Sequence, residues 1–343
     1  MIKIKSAGWG ENVVRPLNRE LLAQYDISVK KLQYIRSNYY LDTNRGKFML
    51  RKVDLPREQI LFDYEVDTHL KDNGFEEINA IFTTKKKSPF AIANGQCYIM
   101  QEHVNCDETD FKDLKDLRET VLVLARFHKA CRRVESKIRD VETVKIRNIY
   151  EYYCKRMNEN AKLKKNMLCL KQKSNFEIMF LDSVEEYRRL EEMALDMINY
   201  ELVEKLIDEV KAKKLIAHKD YTYHTVNKTD MDTYIISQID ICGYDIQILD
   251  LAHILSKIMQ KNDWDNEILY ELIEAYNSVR TLSENEFRLL KFMMIYPEKY
   301  NSICYKYISS KRRWNYSMFE QKWENMLVYK DRQLTTAKLI STW

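Results

Sequence analysis

Three carboxylates and one histidine stand in an order that suits phosphoryl transfer. His218 and Asp220 flank Lys219, Asp240 closes an apolar run at 234–240, and Asp250 opens a helical pattern. Phosphoryl transfer asks little covalent chemistry of a protein. It needs an acid that orients the attacking hydroxyl, ligands for a divalent cation, and a cation on the nucleotide phosphates. In that scheme Asp220 accepts or orients the hydroxyl proton, Asp240 holds Mg2+ bridging the β and γ phosphates, and Asp250 caps its helix and braces the loop. His218 is expected to bracket the loop by hydrogen bonding and not to shuttle protons. A His-x-Asp pair alone is more often a surface turn with an Asp cap; the ordered set carries the reading.

The elements that position these residues follow from periodicity. Residues 27–53 are β-like and broken by Asn44-Arg45-Gly46, a hairpin turn. Residues 57–72 have helical spacing and stop at Asn73-Gly74. Strands are predicted at 78–82, 90–93 and 96–100, the last two joined through Asn94-Gly95. After a polar bridge at 101–109, Leu114, Leu117, Val121, Leu124, His128 and Cys131 share one helical face. Helices are predicted at 146–157 and, unbroken, at 184–210, and the lysine-rich stretch between them is a solvated surface. The predicted organisation is a β-rich lobe at 1–100, a hinge at 101–109, and a helical lobe at 110–343 that carries the catalytic-type loop.

Composition narrows the class of protein. The 343 residues suit two packed lobes or one large domain, and 45% hydrophobic content with 6 Gly and 4 Pro argues for a compact, largely helical chain. With 56 basic and 52 acidic residues the formal charge is +4, too small to make nucleic acid or an anionic membrane the main partner. The late run Lys306, Lys311, Arg312, Arg313, Trp314, Lys322 and Trp323 is read as a solvated face with buried tryptophans. The seven cysteines are scattered without CxxC and are read as reduced thiols, and most of the 23 tyrosines as packing residues. Residues 1–14 lack the apolar run of a signal peptide and no stretch approaches a membrane span, so a soluble protein made in the cytoplasm is expected.

The order of sheet with inserted helix, helical lobe, His-x-Asp loop, strand ending in Asp and then Asp250-Leu251-Ala252 resembles the aminoglycoside phosphotransferase and choline kinase superfamily. Further segments resemble CotS-type spore coat proteins: Asn73-Gly74-Phe75, Asp110-Phe111-Lys112, 124–130, 282–286 and 296–300. The resemblance covers nearly the whole chain from about Asp26. It implies an α+β, bilobal protein-kinase-like fold, with a small N-terminal β-sheet lobe holding one inserted helix and a larger, mainly helical C-terminal lobe. It also implies deposition in the spore coat among other coat proteins.

The same resemblance exposes departures. Superfamily kinases carry Asn five residues after the catalytic Asp as a second Mg2+ ligand; here Thr225 stands there, and a hydroxyl is a poorer metal ligand than an amide carbonyl. The phosphate-covering loop falls at Arg36-Ser37-Asn38, without a glycine. The phosphate-binding lysine falls on Arg51, with Lys52 next, and strand alternation lets only one of them enter the cleft. Glu65 on the following helix is a candidate partner for that cation, as is Glu58.

Two functions follow from the resemblance. The first is a spore coat protein with a kinase-like fold, structural or assembly-related, with weak or absent phosphotransferase activity. The alternative is an active kinase that uses ATP and Mg2+ to phosphorylate a hydroxyl on a sugar, amino alcohol or coat component. No nucleic acid and no transmembrane segment enters either reading.

Overall fold

The computed structural model describes residues 19–35, 37–138, 146–310 and 316–343; residues 1–14, Arg36, Lys311, Arg312, Arg313 and Trp314, discussed above, lie outside them. The chain divides into two compact units. Unit 1 comprises Met1–Thr109, Val134–Val144 and Thr222–Gly243, and unit 2 comprises Asp110–Arg133, Lys145–Tyr221 and Tyr244–Trp343.

Unit 1 is built on an antiparallel sheet of order β1-β2-β3-β5-β4: β1 Val29–Ile35, β2 Asn38–Thr43, β3 Gly46–Val53, β4 Ala91–Ala93 and β5 Gln96–Glu102. The β4–β5 turn has Asn94 and Gly95 at φ 50° and 72°, the left-handed pair that a tight primed hairpin requires. One face of the sheet packs Leu32, Leu41, Phe48, Leu50 and Met100 with Leu21 of α1 (Arg19–Ala23) and with Tyr25. The other packs Val53 and Ile99 with Ile60 of α2 (Arg57–Asp72) and Ile81. Residues 78–82, expected as a strand, form only isolated bridges, Ile78 to Ile236 and Ile81 to Gln101. The segment changes partner along its length, so no ladder forms.

A second ladder explains why Thr222–Gly243 joins unit 1 although it follows several helices in the chain. β6 (Cys106–Glu108) pairs antiparallel with β8 (Val226–Thr229), which pairs in turn with β9 (Tyr234–Ile236). The strand expected through Asp240 ends at Ile236, and Asp240 lies on the loop beyond it.

Unit 2 contains α3 (Leu114–Ala130), α4 (Ile149–Leu168), α5 (Asn175–Leu195), α6 (Tyr200–Lys213), the short β7 (Ile216–Ala217) and α7 (Ile248–Lys261). It continues with α8 (Asn266–Val279), α9 (Glu284–Ile295), α10 (Glu298–Ser309), α11 (Tyr316–Leu327) and α12 (Lys330–Ser341). The two-residue strand β10 (Gly243–Tyr244) straddles the unit boundary. The helix expected as continuous over 184–210 breaks between α5 and α6, because Asn199 caps the new helix by accepting the Leu202 N–H at 2.8 Å. The segment at 282–286 is a capping box: Ser283 and Glu286 satisfy each other's backbone N–H at the start of α9.

Trp323 is fully buried against Phe176, Phe180, Tyr187 and Tyr300, so these aromatics serve packing. Buried among the same helices, Glu191 accepts from Asn160 at 2.7 Å and from the Tyr296 hydroxyl at 3.2 Å. Burial pushes its carboxyl up to about 7. No helix among the described residues is long and apolar enough to cross a membrane.

Candidate functional site

In unit 2 the His-x-Asp loop leaves β7 and is held from behind by Asp250, in the first turn of α7. Asp250 accepts the His218 N–H at 2.6 Å and the Lys219 N–H at 2.8 Å. The N-cap position of α7 is Gln247, so the Asp250 carboxylate is directed to the loop and not to its own helix end. The Gln247 amide donates to the Ile216 carbonyl at 2.9 Å and to the His128 carbonyl at 3.0 Å, tying β7 to α3.

His128 Nε2 lies 3.0 Å from Asp250 Oδ2, and His128 Nδ1 lies 2.7 Å from the Tyr276 hydroxyl. Burial holds the His128 imidazole below its ordinary pKa. Burial alone would raise Asp250, but the hydrogen bonds from His128 and from the His218 backbone N–H outweigh it and hold the carboxyl below its usual value. A neutral imidazole beside a carboxylate then has Nε2–H donating to Asp250 and Nδ1 accepting from Tyr276.

His218 is buried, and its Nδ1 accepts the Asp220 N–H at 3.3 Å, closing the loop internally. Asp220 is exposed. Lys219 stands between them at φ 70°, a left-handed conformation that a non-glycine residue keeps only when its surroundings enforce it.

In unit 1, Arg51 is buried and its neighbour Lys52 is exposed, which settles which of the two points inward from β3. The Arg51 guanidinium holds Asp240 with both terminal nitrogens, Nη1 to Oδ2 at 2.6 Å and Nη2 to Oδ1. Its Nε donates to Gln101 Oε1 at 2.9 Å, and Gln101 donates to the Asn79 carbonyl at 3.2 Å. Glu65 is engaged elsewhere: it accepts from the Ser136 hydroxyl at 2.6 Å and the Lys137 N–H at 3.1 Å. Glu58 is exposed. Thr225 turns its hydroxyl into its own loop, donating to the Thr222 carbonyl at 3.0 Å and accepting the Thr222 N–H at 2.9 Å.

Asp63 was not foreseen from the sequence. It lies on the buried face of α2, where Oδ1 accepts from Gln59 at 2.7 Å and from the Cys242 thiol at 3.2 Å, while Oδ2 is buried without a partner among the described residues. Burial pushes its carboxyl up to about 7, against the hydrogen bonds from Cys242 and Gln59, and the charges of Asp240 and Arg51 both reach it. The available signal was two aspartates, Asp63 and Asp67, on a helical face otherwise made of Ile60, Val66 and Leu70.

These donors do not fit a nucleotide-bound divalent cation as they are arranged. Both oxygens of Asp240 are occupied by Arg51, and the Thr225 hydroxyl is spent on Thr222. No group of three or more His, Cys, Asp or Glu side chains gathers at metal-binding geometry among the described residues. The β1–β2 pairing runs to Ile35 opposite Asn38, and Ser37 stands at φ 69°.

Comparison with known proteins places this geometry in a family. Residues 18–338 match the family described as "Spore coat putative kinase YutH". The chain is 21% identical over 319 residues to Spore coat protein S of Bacillus subtilis (strain 168), covering 90% of this chain and 89% of that protein. Among solved structures it is similar to an aminoglycoside phosphotransferase from Alicyclobacillus acidocaldarius, with TM-score 0.84, 14% identity, and 95% and 96% of the two chains covered. It is also similar to spectinomycin phosphotransferase APH(9)-Ia, solved in complex with ADP and spectinomycin, with TM-score 0.60, 14% identity, and 94% and 99% covered. At these identities the structures establish the fold: α+β and kinase-like, of the aminoglycoside phosphotransferase type. By the near-complete sequence match, the chain belongs to the YutH family of spore coat kinase-like proteins.

Proposed function

We propose that the chain is a spore coat protein that uses the phosphotransferase fold as a structural or assembly scaffold, with phosphotransfer weak or absent. The pairing of Arg51 with Asp240 carries this reading. A nucleotide-bound cation at Asp240 has to displace a bidentate guanidinium. Such a charge-assisted pair is worth roughly 2–3 kcal/mol, which weakens apparent affinity about 30- to 150-fold. The self-bonded Thr225 supports the same reading. Family membership supports the spore coat as its destination and other coat proteins as its partners, after synthesis as a soluble cytoplasmic protein.

A thermal-shift experiment with ATP, with and without Mg2+, tests the reading, since a ligand that binds only the folded state raises its melting temperature. No shift at millimolar nucleotide is expected. A Mg2+-dependent rise would favour the second reading, an ATP-dependent kinase acting on a hydroxyl of a sugar, amino alcohol or coat component. The observation that favours that reading is Asp220, exposed on a loop whose backbone Asp250 braces. Under it, Asp220→Asn abolishes turnover and leaves the melting temperature unchanged.

A further inference from the structure

Among the described lysines of unit 2, some are ion-paired and others are not. Lys164, Lys211, Lys213 and Lys330 each reach a carboxylate, on Glu185, Asp208, Glu209 and Glu186 respectively. Lys257 on α7, Lys299 and Lys306 on α10, and Lys322 on α11 make no ion pair among the described residues. Lys257, Lys299 and Lys306 are exposed and Lys322 is half-buried.

Helix packing and helical spacing bring the charges of α10 and α11 together, and Lys257 of α7 interacts electrostatically with them. α10 packs against α11, and Lys299 and Lys306 are seven residues apart, so they project from the same side of α10 about 10 Å apart along its axis. Partial burial first, and then the charges of Lys257, Lys322 and Lys306, lower the pKa of Lys299, as expected of neighbouring ammonium groups. Glu298 offers little compensation. It accepts from the Tyr153 hydroxyl at 3.2 Å, and burial pushes its carboxyl up to about 7, leaving it partly protonated at neutral pH.

We propose that this lysine face of α7, α10 and α11 docks an acidic segment of a partner polypeptide. Clustered like charges raise the energy of the free protein, and a run of Asp and Glu relieves that repulsion. An extended acidic run rises about 3.3 Å per residue, so four residues span the two lysines of α10, whereas a single small anion reaches one of them. The chemistry favours polypeptide over nucleic acid. The formal charge of the chain, +4, is too small to make nucleic acid its main partner. The rings nearby are already committed, Trp323 buried in the core and Tyr305 lying under the Arg156 guanidinium at 3.8 Å.

The test uses fluorescence anisotropy of a labelled deca-glutamate peptide titrated with the full chain at low and physiological salt. Binding that weakens with salt is expected, with a loss of about tenfold or more in Lys299→Gln/Lys306→Gln and no loss in the control Lys211→Gln/Lys213→Gln. All four positions are exposed, so the variants are expected to fold, and their melting temperatures verify this. Absence of binding by the wild type, or equal binding by the Lys299→Gln/Lys306→Gln variant, overturns the proposal. Equal or tighter binding of a ten-nucleotide single-stranded DNA overturns the assignment to a polypeptide.

Discussion

Arg51 and Asp240 lie 189 positions apart in the chain and are joined by two parallel hydrogen bonds within unit 1. In a phosphotransferase fold these are the positions expected to hold a phosphate and a metal ion, and here they satisfy each other. The third nitrogen of the guanidinium is held by Gln101, so all three of its nitrogens are engaged. The energetic consequence is that each residue depends on the other.

Asp240→Ala therefore strands a buried guanidinium. The variant is expected to lose about 2–3 kcal/mol in urea denaturation, and Arg51→Met/Asp240→Ala to recover part of it, giving a coupling energy of at least about 1.5 kcal/mol. Additive single and double variants would show that the pair contributes nothing.

Asp250 joins three donors from two chain segments, so its removal leaves the His218 and Lys219 amides and His128 without their acceptor. Asp250→Ala is expected to cost about 3 kcal/mol or more. Because the folded carboxyl titrates below its ordinary value, this contribution is present above about pH 4 and is lost as pH falls through the folded value. Acid unfolding of the wild type and the variant should converge at low pH, which circular dichroism at a series of pH values would reveal.

Glu191 works in the opposite sense. Its carboxyl holds a proton up to about 7 when folded but only to about 4 when unfolded, so across that window the folded protein binds more protons and stability falls as pH rises. Glu191→Gln keeps an acceptor for Asn160 and Tyr296. Between pH 5 and 8 the variant should lose about 1–3 kcal/mol less stability than the wild type. Glu298, also raised to about 7, adds a background slope that both proteins share.

Local chemistry was legible in the sequence and tertiary choice was not. Asn94-Gly95 and Asn73-Gly74 declare their turns because left-handed backbone excludes most other residues; Gly74 sits at φ 72° after α2, as Gly95 does in its hairpin. Strand alternation required Arg51 and Lys52 to part, but which of them turned inward depended on Ile99 and Gln101 in a neighbouring strand. Glu65 was a reasonable partner for the cation by helical position. Its commitment to Ser136 and Lys137 depends on a segment that only the folded chain brings to α2. Asp63 was hidden for the same reason, since its thiol donor, Cys242, is 179 positions away. The break between α5 and α6 was written in Asn199, whose capping preference outweighed an apolar pattern that ran on past it.

Calorimetric titration of the wild-type protein with ATP in the presence of Mg2+ shows whether Arg51 keeps Asp240 from a nucleotide-bound cation. With Asp240 occupied by Arg51, no binding heat is expected at millimolar nucleotide, with or without the metal. Saturable binding that requires Mg2+ and disappears in Asp240→Ala would show that Arg51 yields the carboxylate readily, and would contradict the account.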